Sequence, residues 1–296
     1  MKKTLLFFAA LLLGGALVQA QNYPQPDLII PLWPSGAPTD NGLSGPEIDY
    51  GTHVSNVSKP TLGIYFPDKP NGLALLVCPG GGYVDVWDKT EGYANSEWYT
   101  DQGIVYAVLK YRLPNGHPEV PLDDVHEAMR ILWEHAEEYG FQQLGIAGCS
   151  AGGHLAATAS THYTKPGERP AFQILFYPVI SLDSSITHAG SMHYLLGENP
   201  SQELLDKYSN EKQVTADTPP AFIMANSDDP LVPCENSIRY YEALRANGVS
   251  AALHIYPEGS HGWADHKHFV YRNAWMGDLR IWLSRLAETL VPVDNL

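Results

Sequence analysis

Three residue types in this chain have the makings of acyl-transfer chemistry: a serine between glycines, an aspartate and a histidine, each following an apolar run. The serine is Ser150, in Gly148-Cys149-Ser150-Ala151-Gly152. A serine hydroxyl is a weak nucleophile unless a base takes its proton, and the base needs a group that orients it. "AFIMANSDDPLVP" supplies Asp228 and Asp229, and "AALHIYPEGSHGW" supplies His261 in a glycine-containing loop. Of the two aspartates, Asp229 opens the run Asp229-Pro230-Leu231-Val232-Pro233 and is assigned as the orienting acid; Asp228 is left to cap or bind the loop. The rival histidines are placed elsewhere: His254 within a strand-like run, and His266 and His268 at the start of the last helix.

Developing negative charge on a carbonyl oxygen needs backbone N–H donors. "CPGGGYVDVW" offers Gly80, Gly81 and Gly82, with Ala151 just after the serine as the further donor. Glycines there let the backbone come close to a substrate. Tyr83 and Trp87 follow directly and read equally well as one wall of an acyl or sugar pocket or as core. With Trp263 they would suit an aromatic acyl group.

Elements must hold these residues. "IVYAVLK" and "LGIAGC" are continuous apolar runs, as expected of strands covered on both faces, and "FQILFYPVI", "AFIMAN" and "AALHIYP" follow in the same style. "TLGIYF" and "GLALLVC" suit two strands joined by a turn. Between them run amphipathic segments. From Leu122, the residues Val125, Ala128, Met129, Leu132, Trp133 and Ala136 recur at helical spacing; "ENSIRYYEALRANG" and "RNAWMGDLRIWLSRLAETL" are two more. Strands alternating with helices imply an α/β fold, a mostly parallel central sheet with helices on both faces. The order Ser, Asp, His in successive post-strand loops, with the serine on a tight strand-to-helix turn, is that of an α/β-hydrolase. Residues 181–219 contain no strand-like run and read as an insert that covers something.

The first twenty residues, "MKKTLLFFAALLLGGALVQA", have a basic start, a short apolar centre and a small-residue end. They read as a signal peptide cut before Gln21, with export to the periplasm or beyond, and leave residues 21–296 as a single domain. With 33 acidic against 18 basic residues the formal net charge is −15, which disfavours nucleic acid and anionic membranes as partners. No other segment is apolar enough to insert in a membrane. The three cysteines do not form a disulfide scaffold; a Cys78–Cys149 bridge is conceivable if their strands are neighbours, and buried free thiols are the preferred reading. His261, Asp265, His266 and His268 cluster, but their spacing fits no standard zinc pattern, so neither metal nor cofactor is expected.

Taken together, "PLWPSGAP", "PGGGY", "GCSAGGHLAA", "DDPLVPCENSIRYYEAL" and "HIYPEGSHGW" resemble the α/β-hydrolase carbohydrate esterases of bacterial polysaccharide-utilisation systems, the acetylxylan-esterase type. The resemblance implies Ser150, Asp229 and His261 as nucleophile, acid and base, and an acylated polysaccharide or oligosaccharide such as xylan as partner, with acetyl the acyl group. Feruloyl or other aryl esters, and a non-catalytic sugar-binding relic, are the alternatives. One departure is that Met192 and Tyr194 stand where similar proteins carry arginine and asparagine.

Overall fold

The computed structural model describes residues 23–288, so the expected signal peptide lies outside the described residues. The strands are β1 (Leu28–Pro31), β2 (Ile48–Asp49), β3 (Val54–Ser55), β4 (Thr61–Tyr65), β5 (Gly72–Cys78), β6 (Asp85–Val86), β7 (Val105–Lys110), β8 (Phe141–Cys149), β9 (Gln173–Phe176), β10 (Ala221–Asn226) and β11 (Ala251–Tyr256). The α-helices are α1 (Ser96–Thr100), α2 (Glu119–Glu134), α3 (Ala136–Tyr139), α4 (Ser150–Thr161), α5 (Ala189–Leu196), α6 (Gln202–Tyr208), α7 (Glu235–Ala246) and α8 (Arg272–Glu288). Eight strands form one sheet in the order β1-β4-β7-β5-β8-β9-β10-β11, parallel from β7 to β11 and antiparallel at the β1 and β4 edge. A small antiparallel sheet, β2-β3-β6, stands apart from it.

The continuous apolar runs follow from burial on both faces. Along β5, Ala74, Leu76 and Cys78 face a layer built with α2, α4 and α7, while Leu73, Leu75 and Val77 face one built with α1 and α8. Alternation of side chains across a strand sends neighbours to opposite layers. The same rule separates two of the cysteines. Cys78 lies opposite Gly148 in the ladder, and Cys149, one residue further, belongs to the other layer; all three thiols are free.

Two expectations about the elements need correction. β4 and β5 are not partners: β7 lies between them, parallel to β5 and antiparallel to β4, and the six residues from Phe66 to Asn71 carry the chain past it. His266 and His268 precede α8 rather than begin it, in an irregular loop that runs from Pro257 to Tyr271. The strand-free segment 181–219 folds as α5, α6 and a short 3₁₀ turn at Asn210–Lys212. No helix among the described residues is long and apolar enough to cross a membrane.

Candidate functional site

The site stands at the carboxyl ends of β5, β8, β10 and β11, where ligands of open α/β sheets bind. β8 ends at Cys149 in extended backbone, Ser150 takes φ +53°, and α4 starts on the same residue. That left-handed conformation is costly for a serine, and the surroundings enforce it. A Cβ on Gly148 would overlap the Gly152 carbonyl, and one on Gly152 would overlap the carbonyls of Cys78 and Pro79. Glycines at both positions therefore allow β8, α4 and the end of β5 to close around the serine.

His261 bridges the other two residues. Its Nε2 lies 2.9 Å from Ser150 Oγ and its Nδ1 lies 2.6 Å from Asp229 Oδ2. A carboxylate only accepts, so Nδ1 carries the hydrogen and Nε2 is left to accept from the serine hydroxyl. The two aspartates divide the work. Asp229 Oδ1 accepts the N–H groups of Leu231 and Val232, both at 2.9 Å, which holds Oδ2 toward the imidazole. Asp228 accepts the N–H groups of Gly259 and Ser260, at 3.1 and 2.9 Å, and so shapes the loop that presents His261. Positive φ on both sides of His261, at Gly259 (+141°), Ser260 (+58°) and Gly262 (+79°), explains the two glycines of that loop.

Residues 80–265 match the family of the alpha/beta hydrolase fold. The chain belongs to that family. It is 39% identical over 241 residues to an acetylxylan esterase of Xylanibacter ruminicola, covering 79% of this chain and 50% of that protein. To endo-1,4-beta-xylanase B of Butyrivibrio fibrisolvens it is 36% identical over 233 residues, covering 73% of this chain and 36% of that one. The chain thus spans half or less of the length of these curated relatives. Among solved structures, an acetyl ester-xyloside bifunctional hydrolase from Caldicellulosiruptor lactoaceticus superposes with a TM-score of 0.73 at 34% identity, covering 88% of this chain and 97% of that one.

In this α/β-hydrolase fold Ser150 and His261 open on a cavity of about 390 Å³, lined also by Gly81, Gly82, Trp87 and His188. Gly81 and Gly82 come from the loop after β5, and Ala151 lies buried at the start of α4. Gly80 does not join them as a donor. Its N–H is bonded at 2.6 Å to Glu91 Oε2, a carboxylate that outcompetes any ligand oxygen for it.

Two of the expected wall residues are not on the wall. Tyr83 is 1% exposed, and its hydroxyl meets His154 Nδ1 at 2.9 Å, joining the glycine loop to α4. Trp263, also 1% exposed, packs between Tyr177 and Phe269 with ring centroids at 5.2 and 4.3 Å. Both rings are large enough to complete the core, and burial there wins. Trp87 alone faces the cavity. Met192 packs partly buried against the core and Tyr194 is exposed; neither lines the cavity, which the 181–219 segment reaches through His188.

Several site residues lack any local sequence signal. Glu91, buried on the cavity wall, accepts from Gly80 N–H and, at 2.9 Å on Oε1, from the Tyr177 hydroxyl. Burial raises its carboxyl, an effect these two donors oppose. Tyr177 (φ +36°) packs its ring against that of His261, centroids 4.7 Å apart and planes tilted by 59°, and its hydroxyl oxygen accepts the Ala264 N–H at 3.2 Å. Tyr177 directly follows β9 as Ser150 directly follows β8, but the apolar run "FQILFYPVI" hides that strand end in the sequence. His188 caps α5 by accepting the Ser191 N–H at 3.2 Å; burial and the neighbouring His261 lower its pKa, keeping it neutral. Asp265 also lines the cavity, with its carboxyl raised by burial. Among the described residues no three His, Cys, Asp or Glu side chains converge as metal ligands.

Proposed function

We propose that this protein is a serine carboxylic-ester hydrolase that removes acetyl groups from xylan-type polysaccharides or oligosaccharides, acting after export. The observation that carries the reading is the Ser150–His261–Asp229 chain, at 2.9 and 2.6 Å, opening on a cavity beside Gly81 and Gly82. The likeness to an acetylxylan esterase and to an acetyl ester-xyloside hydrolase supports the substrate class. Burial of Tyr83 and Trp263 removes two of the three rings that favoured an aromatic acyl group.

In this mechanism His261 Nε2 takes the Ser150 proton as Oγ attacks the acetyl carbonyl carbon. Asp229 holds the imidazole by Nδ1–H and stabilises the imidazolium that forms. The oxyanion lies against the N–H groups of Gly81, Gly82 and Ala151, donors each worth about 10²–10³ in rate. Collapse breaks the bond to the sugar oxygen, which receives the proton from His261. Water, deprotonated by His261, then attacks the acetyl-serine and releases acetate, restoring both side chains.

The test is acetate release from acetylated xylan by the intact protein and by Ser150→Ala. A loss of at least about 10³-fold in the variant is expected. Equal release by both proteins would remove Ser150 from the chemistry, and no release of acetate by either, with ferulate freed from feruloylated arabinoxylan, would move the acyl group to the aryl class.

A further inference from the structure

Next to the catalytic cavity lies a groove of about 1340 Å³ that shares Thr90, Asp265 and His266 with it. Its walls come from five places: Tyr23 and Pro24, the β2–β3 connection at Thr52, the segment from Thr90 to Glu97, Asp228, and the stretch from Glu258 to Arg272. The two spaces differ in scale. The cavity is near the lower end of the roughly 300–1,000 Å³ typical of small-ligand pockets, and the groove exceeds that range. An acetyl group with the sugar that carries it suits the first; several further sugars suit the second.

The groove's chemistry is that of a neutral, hydroxyl-rich ligand. Thr90 Oγ1, Tyr23 Oη and Arg272 Nε belong to its lining residues and are buried with no hydrogen-bond partner among the described residues. Buried polar atoms are nearly always paired, and these three lie just behind the groove wall, where a small side-chain rotation would offer them to the hydroxyls of a ligand. Glu97 and Glu258 stand exposed on it, in no ion pair among the described residues. Four carboxylates (Glu97, Asp228, Glu258 and Asp265) face Lys267 and Arg272, a balance that disfavours a polyanionic glycan. Tyr50, His53 and Trp87 form a ladder of rings with centroids 4.8 and 4.5 Å apart and planes within 17°; Trp87 lines the catalytic cavity, and Thr52, next to His53, lines the groove. Trp87 and Tyr50 are 38% and 57% exposed, an unusual placement for large rings unless an apolar sugar face covers them.

We propose that this groove binds the neutral sugar residues adjacent to the acylated one, so that the enzyme acts on chains in preference to single sugars. The inference rests on the esterase reading for its substrate, and the experiment separates the two. With the intact protein, kcat/KM is measured on p-nitrophenyl acetate, on acetylated xylose, and on acetylated xylo-oligosaccharides of two to six units. The expected result is a rise of about tenfold or more from the monosaccharide to the tetramer. Glu97→Ala with Glu258→Ala, and separately Thr90→Val, should lower the ratio of oligomer to p-nitrophenyl acetate turnover about tenfold. Turnover of every acetyl ester at a rate independent of chain length would overturn the groove and leave the esterase standing. If no acetyl ester is turned over, the esterase reading falls, and titration calorimetry with unacetylated xylohexaose decides the groove. Binding weakened by the same variants supports it, and absence of binding overturns it.

Discussion

Gly80 and Glu91 show how a single residue outside the reacting set can fix the donors within it. A Cβ on Gly80 would meet Glu91 Oε2 at 2.5 Å, Cys149 O at 2.9 Å and Ser150 Cβ at 3.0 Å, so the loop after β5 is seated against the serine's own turn. The Glu91 carboxylate fastens it there through Gly80 N–H and ties it, through Tyr177, to Ala264 in the loop of His261. Glu91 is therefore a positioning residue, acting through the glycine loop. Glu91→Ala should lower kcat on p-nitrophenyl acetate about 10- to 100-fold with KM within about twofold, less than the loss of an oxyanion donor itself. Glu91→Gln keeps one acceptor oxygen and should recover part of the rate. A rise in KM with kcat unchanged would assign Glu91 to substrate binding instead. Ser150, Asp229 and His261, which the structure brings together, were legible because each follows an apolar strand: Ser150 at the turn from β8 into α4, Asp229 and His261 in the loops after β10 and β11. Glu91 was not, because what singles it out is a contact eleven residues back in the chain and another to Tyr177, and neither leaves a periodicity or a motif.

At the scale of elements, burial decided between readings that sequence left even. Tyr83 follows the glycine loop exactly as a pocket residue would, yet its φ of +64° turns the ring inward. There its hydroxyl meets His154 Nδ1, while His154 Nε2 reaches Tyr208 O at 2.8 Å, so the glycine loop, α4 and the end of α6 are joined through one imidazole. Donation by Nε2–H to the Tyr208 carbonyl leaves Nδ1 as the acceptor of the Tyr83 proton. Burial lowers the pKa of His154 to about 4, so the ring stays neutral near pH 7. Tyr83→Phe removes the hydroxyl, leaving a buried acceptor unmet, and should cost about 1–3 kcal/mol in urea-induced unfolding. His154→Phe in the same background should then cost less than it does alone, since the pair is already broken. The apolar runs, by contrast, were readable because strands covered on both faces carry no polar alternation. The insertion of β7 between β4 and β5 was not, since loop length alone does not say which strand will enter between two others.

For the whole molecule, the acidic balance, a formal net charge of −15, also reaches the interior. Asp88 is 4% exposed, its Oδ1 has no hydrogen-bond partner, and Lys89 Nζ stands 3.8 Å from it. Burial lifts its carboxyl from the ordinary 3.8 to about 6, with Lys89 opposing the shift. A carboxyl raised in this way holds its proton more tightly folded than unfolded, so stability falls as pH rises from about 4 to 6 and stays lower above that. The shift corresponds to at most about 3 kcal/mol lost at neutral pH. Asp88→Asn removes the titration while keeping the shape. It should raise the unfolding free energy by about 1–3 kcal/mol at pH 7.5, and by less than about 1 kcal/mol at pH 4, where most of the native carboxyl is already protonated. Urea denaturation of both proteins at the two pH values measures the difference. A gain of the same size at both would trace it to packing or hydrogen bonding of the amide, and a loss at pH 7.5 would mean that the Lys89 contact outweighs the burial of the charge.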